Sequence, residues 1–118
     1  MRKISIKQST LTILVADLER SIAFYDAIGF DLEKQWDNYY AQMSAPGLTL
    51  GLHPTSPSNP VNGSGNTSLG FTCDDFEKTK SALMALSISI TERDEEGGKF
   101  IHFHDPDGTA LYFIEPKW

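Results

Sequence analysis

The sequence predicts an α+β domain of two tandem βαβββ modules whose curved mixed sheets surround a cavity. Three observations carry that prediction: an internal repeat, a strand-then-helix opening in each copy, and a Pro/Gly-rich break between the copies. Asp17-Leu18-Glu19-Arg20-Ser21 is echoed by Asp75-Phe76-Glu77-Lys78-Thr79, 58 residues later in a chain of 118. At the same offset Leu11, Ile13 and Val15 fall on Leu69, Phe71 and Cys73, and Ile28, Phe30 and Leu32 fall on Leu86, Ile88 and Ile90. Matches that run through three consecutive elements mark a repeated structural unit, and a repeat decides the fold before any single element does. From His53 to Asn66 the chain carries Pro54, Pro57, Pro60, Gly63 and Gly65 among serines and asparagines, the composition of a linker. The module boundary is placed near Ser64, giving module 1 about 1–63 and module 2 about 64–118 of one domain.

Each copy opens with a strand. In Thr10 to Val15 the odd positions are apolar, and in Ser68 to Cys73 they are again, so one face of each strand is core. Cys73 belongs to that apolar set and packs as a small hydrophobe. Asp17, and Asp74 or Asp75, stand where a helix N-cap belongs. The first helix spans about Leu18 to Ile28, and Gly29 supplies the left-handed residue beyond its end. Leu18, Ile22 and Tyr25 form its buried stripe, as Phe76, Leu83 and Leu86 do in the second helix. Strands follow at Phe30 to Trp36, Tyr39 to Met43 and Leu48 to His53, with a turn at Ser44 to Gly47. Their counterparts are Ile88 to Arg93, Lys99 to His104 and Thr109 to Glu115, with turns at Glu95 to Gly98 and Asp105 to Gly108.

The second of those turns fixes a register. Asp105-Pro106-Asp107-Gly108 suits a type I turn closing on a glycine bulge. His104 then opposes Ala110, Phe103 opposes Leu111, His102 opposes Tyr112, Ile101 opposes Phe113, and Phe100 opposes Ile114. Ile101, Phe103, Leu111 and Phe113 make one apolar face for the helices, because register follows the buried pattern. The other face receives Phe100, His102, His104, Ala110, Tyr112 and Ile114. In the first module Leu48, Leu50 and Leu52 are core, leaving Thr49, Gly51 and His53 with Thr10 and Thr12 on the open side. Hydroxyls, glycines, aromatics and imidazoles without heavy charge are the lining of a small-molecule site. Trp36, Tyr39, Tyr40 and Gln42 depend on whether Asp37-Asn38 is a turn or a bulge; Tyr40 and Gln42 add a stacking surface if they face the cavity. Trp118 caps the core or a dimer, or touches a ligand.

Composition removes several function classes. A net charge of −6 speaks against a nucleic-acid backbone as partner. No apolar run reaches the roughly 18 residues of a membrane span, and the basic start lacks a signal peptide's apolar stretch, so a cytoplasmic protein is expected. Cys73 is the only cysteine, which excludes an internal disulfide and a site built of several thiolates.

The stretch from Val15 to Tyr25 followed by Ile28-Gly29-Phe30, with the late His104-Asp105-Pro106-Asp107-Gly108, resembles the vicinal oxygen chelate superfamily. That group holds glyoxalase I, bleomycin and fosfomycin resistance proteins and extradiol dioxygenases. The resemblance implies a divalent cation held by four side chains, one from each of four strands. Carried over, those positions are Thr10, Gly51, Ser68 and Tyr112, none a good ligand, so no metal or other cofactor is expected. His53, His102 and His104 are the substitute imidazoles, yet His102 and His104 stand roughly 6.5–7 Å apart along one strand, wide for sharing an ion. The position of an active-site tyrosine in the fosfomycin-resistance relatives is His102 here, a hydrogen-bonder or general acid/base beside Tyr112. The expected function is metal-independent small-molecule binding of the bleomycin-resistance type, with Thr10, Thr12, Gln42, Gly51, His53, Ser68, Phe100 and His104 contacting the ligand. The acidity and the aromatics favour a cationic, partly planar ligand. The alternative is a metal-free lyase or isomerase using His102 and Tyr112; a metal-dependent glyoxalase- or dioxygenase-type enzyme is the third reading. Open sheet edges and the habits of such relatives point to a homodimer.

Overall fold

The computed structural model describes residues 4–56 and 65–117; residues 57–64 of the expected linker, and Trp118, lie outside the described residues. The elements are β1 (Leu11–Val15), α1 (Leu18–Ile28), β2 (Asp31–Trp36), β3 (Tyr40–Ala45), β4 (Leu48–Pro54), β5 (Ser68–Thr72), α2 (Phe76–Ala85), β6 (Thr91–Glu95), β7 (Gly98–His104) and β8 (Ala110–Pro116). Strand, helix and three strands thus occur twice, an α+β fold of two tandem βαβββ modules. The chain divides into two compact units, Met1–Ser58 and Asn59–Trp118. Each holds one four-stranded mixed sheet, ordered β1-β4-β3-β2 in the first and β5-β8-β7-β6 in the second. In each unit the strand before the helix lies parallel to the last strand, and tight turns make the remaining pairs antiparallel.

Both helices start alike. Asp17 and Asp75 hold extended backbone at φ −135°, and their carboxylates accept from Arg20 N at 3.1 Å and Lys78 N at 3.0 Å. In the first unit Leu18, Ile22 and the fully buried Tyr25 lie on the core side of α1, which packs on β3 and β4, where Ala41, Met43, Leu50 and Leu52 are fully buried. In the second unit α2 packs on β8 and buries Phe76 and Leu83. Ile101, Phe103 and Leu111 form the buried sheet face, with Phe113 half-buried and stacked on Phe103 at 5.8 Å.

The Asp105 turn adopts the bulged form. Gly108 N donates to Asp105 O and Asp105 N to Thr109 O, both at 3.0 Å, and Gly108 has φ +90°. The buried Asp105 carboxylate accepts from Asp107 N and Thr109 N at 2.9 and 2.8 Å. Phe100↔Ile114 through His104↔Ala110 pair in the expected register.

Three expectations are corrected. Leu86 is 44% exposed rather than core, because α2 ends at Ala85 and the chain reverses through Ser87 at φ +61°. That reversal, closed by Ile88 N to Leu83 O at 3.2 Å, uses residues assigned to a strand, so β6 begins at Thr91. β3 continues to Ala45, which leaves the two-residue turn Pro46-Gly47 with Gly47 at φ +80°. Ile114 keeps its expected place opposite Phe100, with only 8% of its surface exposed.

Candidate functional site

Each sheet turns one face to its helix and leaves the other open, and the strand registers place matching rows across the two open faces. In the first unit the row reads Thr12–Gly51–Gln42–Lys34. In the second it reads Gly70–Tyr112–His102–Thr91. The rows are equivalent in topology, so Thr12 corresponds to Gly70, Gly51 to Tyr112 and Gln42 to His102. Each contains one glycine under an aromatic side chain. A Cβ at position 51 would collide with the Tyr40 and Thr12 hydroxyls, and one at position 70 with the Tyr112 ring. Glycine is needed at both for close approach.

The glycines let aromatic groups gather. On the first face Trp36 and Tyr40 lie 5.5 Å apart, Tyr40 and His53 6.4 Å, and Gln42 Nε2 donates to Tyr40 Oη at 3.4 Å. The His53 ring is exposed and its Nδ1 lies 2.8 Å from the Pro54 carbonyl oxygen. On the second face Phe100 stacks on His102 at 5.7 Å and 10°, and Tyr112 leans against both at 5.9 Å. These rings are half-buried, apolar in area and polar at a few edges. Such a surface suits stacking on a planar or apolar body with directed hydrogen bonds.

The expected site residues divide between the faces. Thr12, Gln42, Gly51 and His53 lie on the first; Ser68, Phe100, His102, His104 and Tyr112 lie on the second, with Ser68, Ala110 and His104 in one row. Thr10 is exposed and precedes β1, so no strand pairing holds it in line. Tyr40, whose facing the sequence leaves open, shares the face of Gln42 and Gly51, and the loop between Trp36 and Tyr40 is the turn Asp37-Asn38-Tyr39. Alternation in Ser68 to Cys73 already gives Gly70 to the open face, whereas sequence reasoning missed Thr91 and Arg93. The register would have found both, by carrying it one strand beyond His102. Charge on β6 is ordered as well. Lys117 donates to Asp94 at 2.9 Å, and this hydrogen bond, then the lysine's charge, hold the exposed Asp94 carboxyl below its usual range.

The chain from 7 to 113 matches the model of the Glyoxalase/Bleomycin resistance protein/Dioxygenase superfamily. The protein belongs to this superfamily. One curated relative is the metallothiol transferase FosB of Lysinibacillus sphaericus, 34% identical over 110 residues, 87% of this chain and 77% of the relative. Among solved structures, the genomically encoded fosfomycin resistance protein FosX of Listeria monocytogenes superposes with a TM-score of 0.79 at 17% identity, covering 97% of this chain and 94% of that one. A bleomycin-binding protein complexed with bleomycin gives 0.71 at 22%, covering 95% and 100%.

The divalent metal implied for this superfamily does not fit the residues present. Thr10 and Ser68 offer neutral hydroxyls, Tyr112 a phenol and Gly51 no side chain, where imidazole or carboxylate ligands are wanted. The space above Gly51 is taken by the Tyr40 and Thr12 hydroxyls. Among the described residues no group of three or more His, Cys, Asp or Glu side chains is arranged to hold an ion.

Proposed function

We propose that the protein binds a small molecule on the open faces of its sheets and does so without a divalent metal. The observation that carries this reading is the composition of the two equivalent rows. The first sets the Thr12 hydroxyl and the Gln42 carboxamide beside Gly51, with the Tyr40 side chain over it. The second sets Tyr112, with its ring over Gly70, beside His102; Gly51 and Tyr112 stand at two of the superfamily's chelate positions. Such a face recognises a ligand by stacking and hydrogen bonding, not by polarising an oxygen on an ion. Relatives named for bleomycin binding and fosfomycin resistance support the small-molecule part of this reading and supply the first two ligands to test. The same reading takes the protein as cytoplasmic and homodimeric.

A second reading rests on the direct pairing of His102 with Tyr112 and on the transferase named among the relatives. Here the His102 ring moves a proton and the Tyr112 hydroxyl donates to a substrate oxygen, as in metal-free lyase, isomerase or transfer chemistry.

The test uses untagged protein purified without added metal, assayed for zinc, nickel, manganese and iron, then titrated calorimetrically with bleomycin and with fosfomycin. Metal far below one ion per chain, with saturable binding that survives a chelator, supports the first reading. One tightly held ion per chain, or binding abolished by chelation, overturns it. Turnover of a bound ligand that disappears in His102→Ala while binding persists decides for the second.

A further inference from the structure

The helix side of the second sheet carries a groove of its own. β6 turns Glu92 and Asp94 to that side, because they oppose Ile101 and Lys99 of β7 and Ile101 belongs to the buried face. α2 packs on β8, and the start of α2 and the β6–β7 pair enclose an open cavity of about 260 Å³. Its lining is Phe76, Glu77, Glu92, Arg93, Asp94 and Lys99. Two of these acids are neutralised by residues outside the lining, Glu92 by Lys80 at 3.1 Å and Asp94 by Lys117 at 2.9 Å. Glu77 and Lys99 are not. Among the described residues neither side chain makes an ion pair or a hydrogen bond, and the Lys99 ammonium stands 5.6 Å from the centroid of the Phe76 ring. The first unit shows what closes such a groove. Glu19 and Gln35 hold the places of Glu77 and Glu92 there, and Gln35 Nε2 donates to Glu19 Oε1 at 2.7 Å, tying α1 to β2. In the second unit the amide is replaced by a carboxylate, and two acceptors cannot bond. Glu77 therefore lacks the donor that its counterpart has.

We infer that this groove binds a small zwitterion, an amino acid carrying an ammonium at one end and a carboxylate at the other. The ammonium donates to Glu77, as Gln35 donates to Glu19, and the carboxylate accepts from Lys99. Both contacts are charge-assisted, the stronger class of hydrogen bond. The backbone at the start of α2 does not compete for the carboxylate: Phe76 N donates to Glu115 Oε1 at 3.4 Å and Lys78 N to Asp75 Oδ1 at 3.0 Å. A ligand with one charge is disfavoured, since a plain amine meets Lys99 and a plain carboxylate meets Glu77. The groove lies on the opposite side of the sheet from the face assigned to the small molecule above, so the two sites stand or fall separately.

The test titrates glycine, β-alanine and 4-aminobutyrate, which step the distance between the two charges, into isotopically labelled protein at neutral pH and fixed ionic strength. Butyrate and butylamine are the singly charged controls, and amide NMR is the readout. At least one member of the series is expected to shift the amides of Phe76, Glu77, Asp94 and Lys99 saturably. It should bind at least about tenfold more tightly than either control, with Kd values read from the titrations. Glu77→Gln and Lys99→Gln change exposed side chains, so the fold persists, and each should erase that advantage. Lys78→Gln, which removes a neighbouring exposed cation outside the lining, should leave it intact. The inference is overturned if no zwitterion shifts these amides, if butyrate or butylamine binds as tightly, or if the advantage survives either variant. Shifts at His102 and Tyr112 instead would also overturn it, while leaving the small-molecule reading of the open face standing.

Discussion

Gly70 is fixed by a ring lying over it: its φ is ordinary, but a Cβ would enter the Tyr112 side chain. Gly70→Ala is therefore expected to destabilise by about 1–3 kcal/mol, as overpacking does. In a Tyr112→Ala background the same change should cost under about 0.5 kcal/mol, because the clash has gone. Urea unfolding of the four proteins of this cycle checks it; additive effects would mean that the ring is not what excludes a side chain. Phe103 and His102 are sequence neighbours on opposite faces, one 2% exposed, the other half-buried on the open side. Phe103→Ala should cost about 3–5 kcal/mol and His102→Ala under about 1 kcal/mol, read in the same denaturant series. The facing of His102 was legible in advance because Asp105 to Gly108 admits one bulged turn that keeps Ile101, Phe103 and Leu111 together. Arg93 was not legible. Its strand is exposed at every position and shows no apolar alternation, so only the register across to Phe100 gives it a face.

At the scale of elements the repeat supplies matched pairs on similar backbone, and the helix ends show what differs. Gly29 and Ser87 stand 58 residues apart, each just past its helix and each at positive φ, +121° and +61°. Glycine occupies that region freely, whereas a side chain does so at a cost. Ser87→Gly is expected to raise stability by about 0.5–1 kcal/mol, the usual gain from relieving such a position, seen as a higher urea midpoint with unchanged slope. A neutral or lower midpoint would show that Ser87 makes a contact worth the strain. The same residue explains an error of sequence reasoning. Serine carries no helix-stop signal as strong as Gly29 does, so Leu86 read as core and Ile88 as strand.

The whole molecule presents four edge strands among its described elements, β1 and β2 in one sheet, β5 and β6 in the other. β2 and β6 are exposed throughout and bear charges, which discourages further pairing. β1 and β5 contain no charged residue at all, and they are the edges that need cover. A homodimer is accordingly expected, and sedimentation at micromolar concentration should show twice the 13.1 kDa chain mass; a single 13.1 kDa species would refute it. Fold and family were readable from sequence because duplication writes each element twice, so weak signals confirm one another. The ligand was not, since a net charge sums over surfaces that never meet. The equivalence of Gly51 with Tyr112 has one more consequence. A lone module assembling with an identical copy would repeat every residue by symmetry, so it could never place a glycine on one face and a phenol at the matching point of the other. Joined in tandem, the halves are released from that identity. One face has become indole, phenol and carboxamide, the other imidazole, phenyl and guanidinium, and two unlike surfaces can be tuned independently within a single gene product.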